Sequence, residues 1–226
     1  MSRGTRIPIL LASADADGIC QSQTPSGAGN LTINGLLATA GVATLATVGS
    51  SIGRQVLFTS VSDESGKTIT LTGTDTTGNT ISETITGPNT TAVSTLFYVT
   101  VTQVAASAAF TGAVTVGTNG VGATAWVPMD SDRIGAAWSL GTVISGTANM
   151  MPQATLDPLS PGEVGKWMLQ PTDSFSTPQA FDLEASALTA SKLTYGVFPV
   201  HGTRLLINSG ATSGTFYFDV VQQGLM

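Results

Sequence analysis

Two runs of this chain alternate without a break. Lys67-Thr68-Ile69-Thr70-Leu71-Thr72-Gly73-Thr74 places a hydroxyl at every second position up to Thr74, and Thr80-Ile81-Ser82-Glu83-Thr84-Ile85-Thr86 does the same. A period of two belongs to a β-strand, whose successive side chains point to opposite faces; a helix would scatter these residues around its axis. Asp75-Thr76-Thr77-Gly78-Asn79 lies between them, with an aspartate to open a turn and a glycine for positive φ. Symmetric closure sets Thr74 against Thr80, Thr72 against Ser82, Thr70 against Thr84 and Thr68 against Thr86. The other face then pairs Ile69 with Ile85, Leu71 with Glu83 and Gly73 with Ile81. A slip of one residue would turn the isoleucines to the hydroxyl side, so the pattern itself fixes the register. Glu83 interrupts the apolar face, as a charge that guards a sheet edge or as a contact for a partner.

The rest of the chain extends this reading. Of 226 residues, only 10% are charged, against roughly 25% in an average globular domain. Thr makes up roughly a sixth of the chain, and its branched Cβ suits a pleated, half-exposed surface. Leu, Glu, Lys and Arg, which fill solvated helices, are scarce. A helical bundle, a coiled coil and a charged disordered chain are excluded. The expected fold is all-β: two antiparallel β-sandwich-like domains with an extended N-terminal arm.

The arm spans residues 1–30, where no period is sustained. Arg3 and Arg6 precede the short apolar run Ile7 to Ala12, which holds Pro8 and is too short for a secretory signal. Such a segment gains order by lying on another surface, and Arg3, Arg6, Ile7, Ile9 and Leu10 are the residues that would contact a neighbouring subunit. A Thr-rich sandwich follows over 31–126, with strands at Leu31–Asn34, Val42–Leu45, Gln55–Ser60, the hairpin, Phe97–Val104 and Ala113–Gly117. Its expected core is Ile33, Leu45, Val56, Phe58, Ile69, Leu71, Ile81, Ile85, Val99 and Val101. The glycine-rich Gly117 to Gly122 reads as a flexible connection. A second β domain covers 127–226 and carries Trp138, Trp167 and most of the prolines, with Trp126 at the boundary. Its strands are expected at Ala136–Ser145, Asn149–Leu156, Lys166–Leu169, Tyr195–Val200, and in a hairpin of Thr203–Asn208 with Thr215–Gln222. Leu205, Ile207, Phe216, Phe218 and Val220 form the apolar face of that hairpin. Only Phe181–Lys192 has the composition of a short helix.

Chemistry-bearing residues are few. His201 is the single histidine and has no nucleophile motif beside it, so it reads as a turn residue. The single Cys20 excludes an intrachain disulfide and a cysteine zinc site and reads as a buried small side chain. Asp15-Ala16-Asp17-Gly18 and Asp130-Ser131-Asp132 hint at calcium loops but lack the later bidentate glutamate. Gly117 to Gly122 lacks the Lys-Ser/Thr of a phosphate loop. No catalytic, metal or cofactor site is expected. The net charge of −6 and the eight scattered basic residues offer no stripe for nucleic acid, and no apolar run reaches the ~18 residues of a membrane span.

One segment resembles a known group. T-x-T-G-T-D-x-x-G-N-x-x-S-E-x-x-T-G, here Thr70 to Gly87, is followed by V-T-x-V at Val101 to Val104 and A-V-T-V-G-T-N-G-V-G at Ala113 to Gly122. This pattern is similar to structural proteins of tailed bacteriophages, and Gly196 to Val200 with Arg204 to Ile207 loosely resembles their second β domain. The resemblance implies a non-enzymatic virion component whose partners are copies of itself and capsid or tail proteins. A capsid decoration protein is the first expectation. A neck or tail component, or a spike or fibre module that grips a host glycan through Trp126, Trp138 or Trp167, is the alternative.

Overall fold

The computed structural model describes residues 3–46, 52–129, 137–156, 159, 180–197 and 199–222. The chain is all-β. Among the described residues there is no helix and every strand pair is antiparallel. Two compact units form, one of residues Leu10–Ala125, the other of Met1–Ile9 together with Trp126–Met226.

The Leu10–Ala125 unit is a two-sheet sandwich. One sheet has the order β2-β11-β6-β9, from β2 (Asp15–Gln23), β11 (Val114–Ala123), β6 (Gly53–Asp63) and β9 (Asn89–Val93). The other has the order β4-β5-β10-β7-β8, from β4 (Ala38–Thr39), β5 (Val42–Thr44), β10 (Thr100–Ala106), β7 (Thr68–Thr74) and β8 (Thr80–Thr86), with β3 (Gly29–Asn30) also on β10. All seven pairs expected across the Thr-rich hairpin are those observed between β7 and β8. The turn closes as its composition requires: Asp75 Oδ1 accepts from Thr77 N at 2.8 Å and Asn79 N at 2.9 Å, and Gly78 takes φ of 86°.

Apolar residues from both sheets meet between them, with Val56 and Phe58 of β6, Ile69 and Leu71 of β7, Val101 and Val104 of β10, and Val114 and Val116 of β11. Leu45 and Ile85 join this core, while Ile33 and Ile81 are partly buried against it. Val99 is a correction. It is half-buried, and Tyr98 takes the core position. Tyr98 makes an isolated bridge to Arg54 ahead of β10, and a bulge between Val101 and Gln103 shifts the phase again, so the alternation from Phe97 does not persist.

Two stretches depart from expectation. Gly117 to Gly122 is part of strand β11, which reaches Ala123. Glycine is needed at 117 because β2 crosses so closely that a Cβ there would lie 2.0 Å from the Asp15 carbonyl oxygen. Leu31–Asn34 is not a strand; only Gly29–Asn30 pairs with β10, although Leu31 is buried.

The second unit is built on one long antiparallel ribbon. Strands β13 (Trp138–Thr155) and β16 (Gly202–Gln222) pair along their whole length. The expected hairpin within 203–222 is therefore a single strand, and the two strands expected over 136–156 are also one. The misleading signal is a phase switch. Even-numbered residues of β13 face one side throughout, but β16 changes from odd (Leu205, Ile207) to even (Phe216, Phe218, Val220). Bulges absorb the difference: nine steps from Ile207 to Phe216 oppose six from Met150 to Ile144. A turn and a bulge leave the same mark in sequence. All five expected core residues of this unit are buried.

Flanking strands complete that sheet. β15 (Lys192–Gly196) and β14 (Phe181–Asp182) lie on β13, while β1 (Arg3–Ile9) and β12 (Val127–Pro128) lie on β16. The helix expected over 181–192 is absent. Phe181 and Asp182 pair with Ala154 and Gln153, and Leu188 bridges to Met150, so the segment is pinned to β13 at two points with bends at 183–186 between them. The strand expected at Lys166–Leu169, with Trp167, and the pair Asp130 and Asp132 lie outside the described residues.

Candidate interaction surfaces

The N-terminal residues are strands of their own chain. β1 pairs with β16 from Arg3 opposite Gln222 to Ile9 opposite Phe216, and β2 pairs with β11. Arg6 and Asp219 are directly opposite and bond in bidentate fashion at 2.7 and 2.8 Å, with the guanidinium 4.9 Å over the Tyr217 ring. Asp219 raises the Arg6 pKa further. Ile9 is buried, Ile7 half-buried and Leu10 exposed. The expected arm over a neighbour is thus a strand added to its own sheet. No period marked β2, because register shifts bury three consecutive residues, Gly18, Ile19 and Cys20.

Glu83 is tied down within its own unit. Its carboxylate accepts from Thr95 N at 3.0 Å, Thr95 Oγ1 at 2.8 Å and Leu96 N at 3.3 Å, fixing the turn that precedes β10. Burial, then Glu83, pushes the Tyr98 phenol up.

Two sheet faces present distinctive chemistry. On the β8-β7-β10-β5 sheet, Thr80, Thr74, Thr100 and Thr44 form one cross-strand row. Thr74 and Thr100 hydroxyls approach to 2.7 Å, Thr72 and Ser82 to 3.1 Å, and Thr70 and Thr84 to 3.5 Å. This is a neutral, hydroxyl-lined surface, and β8 bears Thr80, Ser82, Thr84 and Thr86 where edge strands often carry lysine. On the β15-β13-β16-β1 sheet, one face is buried through Trp138, Leu140, Phe218 and Val220, and the opposite face carries exposed Leu193 and Tyr195.

The remaining reactive groups are engaged or inert. Cys20 lies in the core, and burial pushes its thiol up to about 12, so it is not a thiolate at neutral pH. The His201 backbone bonds to Thr155 and Met129. Asp15 Oδ1 accepts from Asp17 N at 3.3 Å at the start of β2. Among the described residues, no group of three or more His, Cys, Asp or Glu could hold a metal ion, and no helix is long and apolar enough to cross a membrane. Trp126 lies under the Arg204 guanidinium at 4.5 Å, with Gln153 Oε1 accepting from Arg204 Nε at 2.9 Å; burial lowers the Arg204 pKa to about 10. That arrangement was not visible in sequence, because β12, β13 and β16 bring it together over 78 positions (126 to 204). No family model, curated protein or solved structure matches this chain.

Proposed function

We propose that the chain is a non-enzymatic structural subunit of a bacteriophage virion, foremost a capsid decoration protein that works through contacts between subunits. The observation that carries this reading is the neutral threonine face on an unguarded sheet. A solitary chain gains little from rows of Thr where Lys would keep sheets apart, whereas a subunit in a symmetric shell gains many weak, charge-free contacts. The resemblance of Thr70 to Gly122 to tailed-phage structural proteins points the same way. A glycan-gripping module finds less support: Trp138 is buried and Arg204 covers a face of Trp126.

The test is the protein content of purified particles. Copies on the order of hundreds support decoration, about six or twelve move the chain to the neck or tail, and absence from the particle ends the reading. A surface variant adds a second check. Thr72→Lys with Thr84→Lys is expected to lower unfolding stability by only about 1 kcal/mol, because Thr84 is exposed and Thr72 half-buried, and what each substitution removes is one cross-strand hydroxyl pair. Incorporation into particles is expected to fall at least tenfold.

A further inference from the structure

We propose that the free edge of β8 is a self-pairing site, to which β8 of a second copy adds antiparallel about a two-fold axis through Glu83. The inference rests on the assembly reading above and names the contact that joins two subunits.

The edges of the Leu10–Ala125 unit differ in how they are protected. Among the described residues, β2, β3, β4, β8 and β9 have a strand on one side only. β3 and β4 are two residues long. β2 is paired through two register shifts, and its other side takes backbone bonds from Gly35 N and Leu37 N. β9 carries a register shift and holds Thr90 at φ of 75°, a kink for a β-branched residue. Short length, bulges, kinks and covering loops are what keep edges from pairing. β8 has none of them: it runs seven residues without a register shift against β7 and contains no Pro, Gly or Lys.

Backbone direction and sequence together select a second copy as the occupant. Asp75 N bonds to Asn79 O and Gly87 N to Lys67 O, so odd-numbered residues of β7 and β8 bond to each other. Thr68 O and Thr74 O turn the other way, to Ser107 N and Val99 N. In β8, therefore, the N–H and C=O groups of Thr80, Ser82, Thr84 and Thr86 point outward, and all four residues are exposed. Antiparallel pairing needs outward groups opposite outward groups. The strand TISETIT reads TITESIT in reverse, the same but for an exchange of Ser and Thr. A two-fold axis at Glu83 thus sets Thr80 opposite the partner's Thr86, Ser82 opposite the partner's Thr84, and Ile81 opposite the partner's Ile85. Every outward N–H and C=O is then matched, with about eight hydrogen bonds in all. A shift of two residues loses two of the seven pairs and sets Glu83 against an isoleucine. On the axis the two Glu83 side chains oppose each other, and like charges there weaken the pair. Each carboxylate is already held by Thr95 and Leu96 of its own subunit, so the charge limits the contact without blocking it.

Disulfide cross-linking of the full chain tests both the contact and its register. Full-length Ser82→Cys and Thr84→Cys, mixed in equal amounts and oxidised in air, are expected to give a linked dimer, because the two positions face each other at a Cα separation of about 5.5 Å. Either variant alone is expected to give at least about fivefold less, since like positions lie roughly 9 Å apart, beyond the reach of a disulfide. Cys20 is buried in the core and adds no background. Competition supplies a second measure. Excess parent chain is expected to suppress the mixed cross-link, and Thr84→Pro is expected to compete at least about tenfold less well, because it removes an outward N–H that β7 does not use. A circular dichroism melt close to the parent's establishes that Thr84→Pro folds. A mixture no more cross-linked than the single variants overturns the inference, as does a folded Thr84→Pro that competes like the parent. A chain that enters particles without this cross-link leaves the virion reading standing and ends the β8 contact. A chain that cross-links as expected but is absent from particles does the reverse.

Discussion

Gly117→Ala is expected to lower the unfolding free energy by about 3 kcal/mol. The added Cβ would lie 2.0 Å from the Asp15 carbonyl oxygen and 2.4 Å from the Ala16 carbonyl carbon, both backbone atoms that no rotamer change can clear. Strand β2 would have to move off β11, and Ile19 and Cys20, both fully buried, would move with it. The sign makes the experiment decisive. In a flexible connection the same substitution stabilises by about 0.4–1 kcal/mol, through the lost entropy of the unfolded chain. Gly120 supplies the internal control. It lies three residues away in the same strand, and nothing approaches within 4 Å of a Cβ built there, so Gly120→Ala is expected to be near neutral. Urea unfolding of the two variants against the parent measures both. Equal effects at 117 and 120 would show that glycine serves this segment through flexibility and not through close approach.

That contrast marks where the sequence is readable. The β7–β8 hairpin could be registered residue by residue because all its information is local: an alternation on each side and a turn whose residues dictate its geometry. The partners of β1 and β2 lie more than ninety positions away, at β16 and β11, and their own residues carry no period that names them. In β16 the local signal was present but ambiguous, since a bulge and a turn both reverse the phase of alternation. Tyr98 in place of Val99 is the same problem on a smaller scale. The surfaces follow this division. The threonine rows were legible across one hairpin and extend to Thr100 and Thr44 only through long-range pairing. The Leu193–Tyr195 face was not legible at all, because its outward direction depends on which side of β13 is buried.

Glu64→Ala is expected to have the largest effect of any polar substitution described, about 3–5 kcal/mol of lost stability. Glu64 follows β6 and is fully buried, yet it is charged. Its carboxylate pairs with the Lys67 ammonium and accepts from Thr111 N at 2.8 Å and Gly112 N at 2.6 Å. Its backbone N–H donates to Pro88 O at 2.9 Å, so one residue binds the start of β7, the end of β8 and the loop before β11. Removing the side chain leaves two amides without acceptors in a closed space and a half-buried ammonium without its counter-charge. Lys67 can still reach water and Thr111 Oγ1, which keeps the cost within this range. Burial alone would raise the Glu64 carboxyl, but the Lys67 ammonium and the Gly112 and Thr111 amides outweigh it and hold the carboxyl below its ordinary value. A lowered folded pKa means the unfolded chain binds the proton first. The contribution is therefore complete above the ordinary glutamate range near about 4.3 and is lost as pH falls through the lower folded value. Glu64→Gln keeps an acceptor for the amides and loses only the charge, at a cost of roughly 1–3 kcal/mol at neutral pH. Urea midpoints taken at steps from neutral pH down to about 3 should show the parent losing stability more steeply than Glu64→Gln below about 4.3. Parallel acid limbs would mean that the Glu64 carboxylate is not the group that Lys67 and the 111–112 amides stabilise.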